Sequence, residues 1–250
     1  MSRNSRKKTI LPKRHPKKID GLPETVKTLD SLPSLKHIHT LSLDLDIIYQ
    51  DASLIVVNKP AGLLAVPGRG ADKQDCLASR VQAEFPDALV VHRLDMATSG
   101  LLLFARGAEM QRRLSHLFRE REVQKRYVAV VSGRLELLSG EIDLPLIRDW
   151  PNRPRQKVDH ESGKPSLTRY RLLIHDVSTN TSRVELEPVT GRTHQLRVHM
   201  AAIGHPIMGD ALYGGEAEGR AERLLLHASA LSFAHPLNAE MLSLASEPPF

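Results

Sequence analysis

Between residues 46 and 58 the apolar positions form two short runs rich in Ile and Val, broken near Asp51, a pattern that predicts two short strands joined by a turn. Lys59-Pro60-Ala61-Gly62 ends the second run, because proline removes a ladder donor and glycine relaxes the backbone. Residues 100–106, 124–133, 166–174 and 183–187 also predict strands. Helices are fewer. From 109 to 120, Met110, Leu114, Leu117 and Phe118 fall at helical spacing, so one face packs while Arg112, Arg113 and Arg119 stay outside. From 193 to 203, Leu196, Met200 and Ile203 lie four and three apart, with Thr193 placed to cap the start and Arg197 off the apolar stripe. A further helix is predicted over 76–85. Strands and helices in this order do not alternate regularly, which predicts an α+β fold on a mixed, mainly antiparallel sheet in place of a doubly wound parallel one.

The 250 residues are enough for one substantial core, and a single main domain is expected. The longest apolar runs, such as 53–57 and 101–104, fall far short of the roughly 20 residues that span a bilayer. The basic start is not followed by the run of about 7 to 15 apolar residues that marks a secretory signal. One cysteine, Cys76, forms no intramolecular disulfide and reads as a buried thiol in its helix, so a reducing cytoplasm is the expected compartment, with no membrane partner.

Charge changes the picture through its distribution. Residues 1–18 hold eight of the 35 Lys and Arg and no acid, leaving 27 cations against 29 acids, a formal −2, for the remainder. The block carries Pro12 and Pro16 and few apolar residues, which predicts a basic, flexible tail over 1–44 ahead of a catalytic domain over 45–250. Such a tail suits loose phosphate contact, and equally suits a solubilising role with no specific partner.

The densest polar cluster in an apolar setting is Val91-His92-Arg93-Leu94-Asp95-Met96-Ala97-Thr98-Ser99-Gly100, as expected of a loop facing a cleft. On its own it also fits a structural ion pair with a hydrogen-bonded neighbour. A kinase catalytic loop orders His, Arg and Asp similarly, but the Gly-rich phosphate loop and the Asp-Phe-Gly element are missing. Gly191-Arg192-Thr193-His194-Gln195-Leu196-Arg197-Val198-His199 places a glycine turn before a helix with several donors, suited to a phosphate or carboxylate, or to a solvated face. His194 and His199 stand five apart, unlike the four of a zinc helix, and no cysteine accompanies them, so no metal is expected. Tyr127 enters a strand beside cations; it fits a core aromatic with its hydroxyl outward, or a wall for a nucleobase. Arg148, Arg153, Arg155 and Lys157 surround Trp150, Pro151 and Pro154 in a loop-like stretch suited to phosphate contacts, or to plain exposure.

Together these stretches resemble the RluA family of pseudouridine synthases, over about residues 46–250. The resemblance is carried by Val57-Asn58-Lys59-Pro60-Ala61-Gly62-Leu63, by His92-Arg93-Leu94-Asp95 with Thr98-Ser99-Gly100, by Lys125-Arg126-Tyr127, by Gly191 to Arg197, and by Gly204-His205-Pro206-Ile207 with Gly209-Asp210. The runs Asp143-Leu144-Pro145-Leu146 and Asp149-Trp150-Pro151-Asn152-Arg153-Pro154 are similar to the compact member that modifies both a 23S rRNA hairpin loop and a tRNA anticodon loop. The basic tail departs from that pattern, and it lacks the apolar core pattern of the folded RNA-binding domain that precedes some relatives.

The resemblance implies a central sheet flanked by helices and loops around an active-site cleft, in an enzyme that isomerises uridine in structured RNA, rRNA or tRNA stem-loops, as a monomer and without a cofactor. It implies Asp95 as the nucleophile, Tyr127 against the target base and Arg197 paired with Asp95. Arg93, with His92 nearby, is implied as the wedge that fills the place of the everted uridine, with Leu94 anchoring the loop in the core. Thr98, Arg192 and His194 are expected to contact the substrate, while Arg112, Arg113, Arg119, Arg148, Arg153 and Arg155 hold the stem by its phosphates. The chemistry is consistent: a C–N glycosidic bond becomes a C–C bond between the same two pieces, with no net oxidation or hydrolysis. A carboxylate serves whether it attacks the sugar, attacks the base or removes a sugar proton, and a neighbouring cation favours its charged form. Two other classes share part of this pattern: an RNA-binding ribosome-assembly factor without catalysis, which would lack the Asp, Tyr and Arg set, and an N-glycosidase, which would release uracil.

Overall fold

A computed structural model describes residues 45–250, so the tail expected over 1–44 lies outside the described residues. Among the described residues twelve strands and three α-helices follow in chain order: β1 (Ile47–Gln50), β2 (Leu54–Lys59), α1 (Leu77–Glu84), β3 (Ala88–Val90), β4 (Ser99–Arg106), α2 (Ala108–Glu120), β5 (Gln124–Ser132), β6 (Ser139–Asp143), β7 (Leu146–Arg148), β8 (Gln156–Val158), β9 (Leu167–Asp176), β10 (Thr181–Pro188), α3 (Gln195–Ala202), β11 (Leu226–Ala234) and β12 (Met241–Ala245). Ten strands form one sheet along the path β1-β2-β4-β11-β5-β10-β9-β6, with β3 added on β4 and β12 on β11; β7 and β8 form a separate hairpin. Among the described residues, β11 and β4 are the one parallel pair, so the sheet is mixed and mainly antiparallel as expected.

The burial pattern explains which strands are central. In β4 every residue from Ser99 to Ala105 is buried, because helices cover both faces and neither side of the pleat meets water. Leu102 and Phe104 pack with Ile55 and Val57 under Leu77 and Val81 of α1. Leu101, Leu103 and Ala105 point the other way, packing with Leu54 and Val56 under Met110 and Leu114 of α2. β10 instead alternates, burying Ser182, Val184, Leu186 and Pro188 and leaving their neighbours partly exposed. That buried side meets β5 and the Leu196 and Met200 face of α3. Tyr127 of β5 packs against both the α1 cluster and the α3 cluster, at the seam between the two halves.

The strands read from the apolar runs are all present, and α2 starts one residue before the expected position. β3, β6, β7, β8, β11 and β12 were not legible from local pattern. β11 reads Leu-His-Ala-Ser-Ala-Leu-Ser-Phe-Ala, with few β-branched residues; its strand conformation comes from pairing with β4, β5 and β12 at once.

The parallel contact rests on Gly100. Its φ is +112°, and a Cβ there would stand 2.3 Å from the carbonyl oxygen of Ala228 and 2.5 Å from its nitrogen. Both atoms are backbone, so neither can swing aside. Gly100→Ala is expected to lose about 3 kcal/mol or more in urea unfolding, from backbone strain and overpacking together; a midpoint equal to wild type would show that β11 shifts freely at this crossing.

Candidate active site

The loop from Val91 to Thr98 joins β3 to β4, and its fixings account for the direction of each side chain. Leu94 is buried in the α1 cluster. His92 stacks on Phe118 with centroids 4.6 Å apart, and its Nε2 accepts the N–H of Leu103 at 3.1 Å. Burial, with Lys125 nearby, pushes the His92 imidazole down to about 3, so it stays neutral while it clamps the loop to β4. The N–H of Thr98 closes back on the carbonyl of Asp95 at 3.1 Å. From below, fully buried Lys59 donates to the carbonyls of Pro60 and Leu63, both at 2.8 Å, and of Met96 at 3.0 Å. The loop is held on both sides of Asp95, whose side chain remains 25% exposed.

Arg197 approaches from α3. It is 5% exposed, and its Nε and Nη2 donate to the two oxygens of buried Asp210 at 2.8 and 2.7 Å. The remaining Nη1 donates to Asp95 Oδ2 at 3.3 Å. Burial works against the guanidinium's charge, but Asp210 and Asp95 outweigh it and hold Arg197 above the ordinary arginine value. Asp210 is lowered despite its own burial, through Arg197 and the N–H groups of Leu212 and Tyr213. The apolar-stripe reading put Arg197 on the free side of its helix; that side faces a buried carboxylate, not water.

The expected cap at Thr193 needs correction. α3 begins at Gln195, and the residue before it, His194, takes a left-handed backbone with φ +56° and makes no side-chain cap bond. The turn is stabilised instead by the Gln195 side chain, which accepts from Thr190 Oγ1 at 2.7 Å and from the N–H of Arg192 at 3.0 Å.

Asp95, Tyr127 and Arg197 meet at one cavity of about 600 Å³, within the range of pockets that enclose a small organic group. Tyr127 is pushed well above the ordinary tyrosine value by burial and by the charge of Asp95, so its phenol keeps its proton. His92, Arg93, Thr98, Arg119, Arg192 and His194 also reach the cavity wall. The other expected cations do not. Arg112 and Arg113 pair with Glu109 on α2, at 2.5 and 2.9 Å, while Arg148, Arg153 and Arg155 belong to the β7–β8 hairpin and its turn. Arg121 and Lys125 line the cavity without having been singled out for RNA contact. Lys59, Asp210 and Tyr213 also gained no role from the sequence; Lys59 and Asp210 stood inside the resembling motifs, and a lysine directly after Val56-Val57-Asn58 was the one local sign of burial. Among the described residues, no three His, Cys, Asp or Glu side chains gather as metal ligands.

The chain belongs to the RNA pseudouridylate synthase family, whose model matches residues 53–202. It is an RNA pseudouridine synthase, an isomerase. It is 53% identical over 191 residues to the dual-specificity RNA pseudouridine synthase RluA of Escherichia coli (strain K12), covering 76% of this chain and 87% of the relative. With the RluA of Pasteurella multocida (strain Pm70) it shares 50% identity over 207 residues, 82% of this chain and 94% of the relative. Among solved structures, human RNA Pseudouridylate Synthase Domain Containing 1 matches with a TM-score of 0.69 at 32% identity, covering 83% of this chain and 85% of that one. Human RNA Pseudouridylate Synthase Domain Containing 4 matches at 0.64 and 26%, over 81% and 88%.

Burial pushes the Lys59 amine down from 10.5 to about 8, with Asp95 opposing the shift and Arg223 adding to it. Between those values the unfolded chain binds more protons at this position than the folded one, so stability rises with pH across the window. Relative to Lys59→Met, which does not titrate there, the wild type is expected to gain about 3 kcal/mol of unfolding free energy from pH 8 to 10.5. A difference that stays flat with pH would show that the amine is not desolvated.

Proposed function

We propose that Asp95 is the reacting carboxylate of this synthase, that Arg197 holds it charged and oriented, and that Tyr127 forms the wall against which the uracil lies. The observation that carries the reading is the 3.3 Å contact of Arg197 with Asp95 at the edge of a cavity that Tyr127 also lines. In the reaction the C1′–N1 bond breaks and a C1′–C5 bond forms, while C5 gives up its proton and N1 gains one. The charge of a carboxylate serves both a sugar ester and abstraction of a sugar proton, and the cavity walls keep the detached base close enough to turn and rejoin.

The target is an everted uridine in a structured RNA loop, and both an rRNA hairpin and a tRNA anticodon loop are the proposed substrates. Support comes from the relatives at 50–53% identity, whose name states dual specificity. Arg93, exposed at the cavity mouth, is the proposed wedge, and Arg119 and Arg192 beside it hold flanking phosphates. The protein acts as a monomer in the cytoplasm, and the cations of residues 1–18 add loose phosphate contacts.

Asp95→Asn is expected to abolish isomerisation in a single-turnover assay on stem-loop RNA, with RNA affinity kept within about tenfold, or 1.4 kcal/mol; turnover at the wild-type rate would remove Asp95 from the chemistry. Deleting residues 1–40 is expected to weaken RNA binding and flatten its dependence on salt while leaving the single-turnover rate at saturating protein unchanged. An unaltered salt slope would show that the tail makes no phosphate contact.

A further inference from the structure

His194 stands beside Asp95 without touching it as an ordinary hydrogen-bond partner: its Nε2 lies 3.8 Å from Asp95 Oδ1. Its other nitrogen, Nδ1, is 2.7 Å from the hydroxyl of Tyr213. The same hydroxyl oxygen receives the backbone N–H of Gln156 at 2.7 Å. A backbone N–H donates only, so the Tyr213 oxygen is an acceptor in that contact; among the described residues the one acceptor within hydrogen-bond distance of its own hydrogen is His194 Nδ1, and the hydrogen is directed there. A neutral imidazole that accepts at Nδ1 carries its hydrogen at Nε2. That nitrogen faces the carboxylate, where a lone pair would be repelled and an N–H is favoured. Both ends of the ring select the same tautomer.

The backbone supports the arrangement. His194 has φ +56°, a conformation a non-glycine residue adopts at a cost of about 1 to 2 kcal/mol. In return the ring stands between Tyr213 and Asp95, edge-on to the Tyr213 ring at 5.6 Å. The groups acting on it are Asp95 and Asp210, which favour its charged form, and Arg197 and Arg93, which oppose it. Burial is the largest influence and lowers its titration below the ordinary histidine value, so the neutral ring is the species near pH 8.

We propose that Tyr213 and His194 form a positioning arm for Asp95, in which Tyr213 locks His194 as the Nε2–H tautomer and His194 presents that hydrogen to Asp95 Oδ1 while Arg197 holds Oδ2. This assigns His194 a role other than the RNA contact expected from sequence, and it rests on Asp95 being the reacting carboxylate. Donors on both oxygens fix the plane of the carboxylate before the uridine arrives. The 3.8 Å gap closes when the substrate excludes water, as catalytic contacts commonly tighten in the complex.

The test is the pH dependence of single-turnover isomerisation on stem-loop RNA for wild type, Tyr213→Phe, His194→Gln, the double variant and Asp95→Asn, with RNA affinity and unfolding midpoints measured alongside. Removing the hydroxyl frees the ring to place its lone pair toward Asp95, and protonation restores the missing hydrogen. Tyr213→Phe is therefore expected to be about tenfold slow at pH 8 with RNA affinity within about twofold, and the deficit is expected to shrink as the pH is lowered toward 5.5. In the His194→Gln background, where an amide offers a donor that does not titrate, Tyr213→Phe should add no pH-dependent deficit. A Tyr213→Phe deficit equal at every pH, or no deficit, overturns the arm. Wild-type turnover by Asp95→Asn would instead overturn the reading on which it rests, and the two failures are separable because each is read from its own variant.

Discussion

A buried guanidinium needs carboxylates to hold its charge, and Arg197 imposes that demand on the centre of this enzyme. Its desolvation is tolerable because Asp210 takes two of its N–H groups in a bidentate contact at 2.7 and 2.8 Å. Asp210 is in turn held by the N–H groups of Leu212 and Tyr213, so the carboxylate cannot rotate away. With one side of the fork immobilised, Nη1 has a fixed direction, and Asp95 Oδ2 lies along it. The pair at the cavity is therefore the exposed end of a buried three-charge chain. Removing Asp210 would leave a buried cation with one partially exposed partner, a more disruptive change than losing a surface ion pair.

The position of Asp95 follows from the sheet. A parallel neighbour at the start of β4 is possible because Gly100 brings the strand against Ala228, and the same crossing places the preceding loop over Tyr127 of β5. Lys59 then ties the loop, through the carbonyl of Met96, to the turn after β2, whose Pro60 and Leu63 carbonyls it also takes. Each of its three N–H groups takes one carbonyl, so a single side chain joins two segments that no strand pair connects. The cavity opens at the seam between the α1 and α3 clusters, and each half contributes part of the charge chain.

Local pattern sufficed for the elements whose burial is one-sided or complete, such as α2 with Met110 and Leu114 on one face and the uninterrupted apolar run of β4. It failed for β11, because Ala, Ser and His carry little strand preference and pairing with three partners supplies what they lack. At the site, Asp95, Tyr127 and Arg197 stood out because polar groups in apolar settings are uncommon, and resemblance supplied their relation. Tyr213 and Gln156 were invisible for a different reason: Tyr213 acts through its place beside His194, 19 residues away, and Gln156 acts through a backbone N–H that any residue but proline provides. The Thr193 cap failed because residue type alone does not reveal a left-handed turn at His194; the Gln195 side chain holds that turn through the N–H of Arg192, and no side chain caps α3.

Beyond residue 18 the chain is formally −2, so attraction for phosphate cannot rest on the overall charge of the domain and depends on how the charges are sorted. Several cations away from the mouth pair with carboxylates: Arg112 and Arg113 with Glu109, Arg169 with Glu141, and Arg126 and Arg171 with Glu185. At the mouth, Arg93, Arg121, Lys125 and Arg192 have no carboxylate at ion-pair distance among the described residues. Arg148 and Arg153 sit 5.0 and 4.7 Å from the centre of the exposed Trp150 ring, which orders their guanidinium groups without cancelling their charge. Their hairpin continues to Gln156, whose N–H reaches Tyr213 beside Arg197 and His194. The cations at its turn and the carboxylate in the cavity therefore belong to one hydrogen-bonded frame. A phosphate held at the hairpin would be registered against Asp95 through these contacts, so position along the frame, and not the amount of positive charge, would set which nucleotide reaches the cavity.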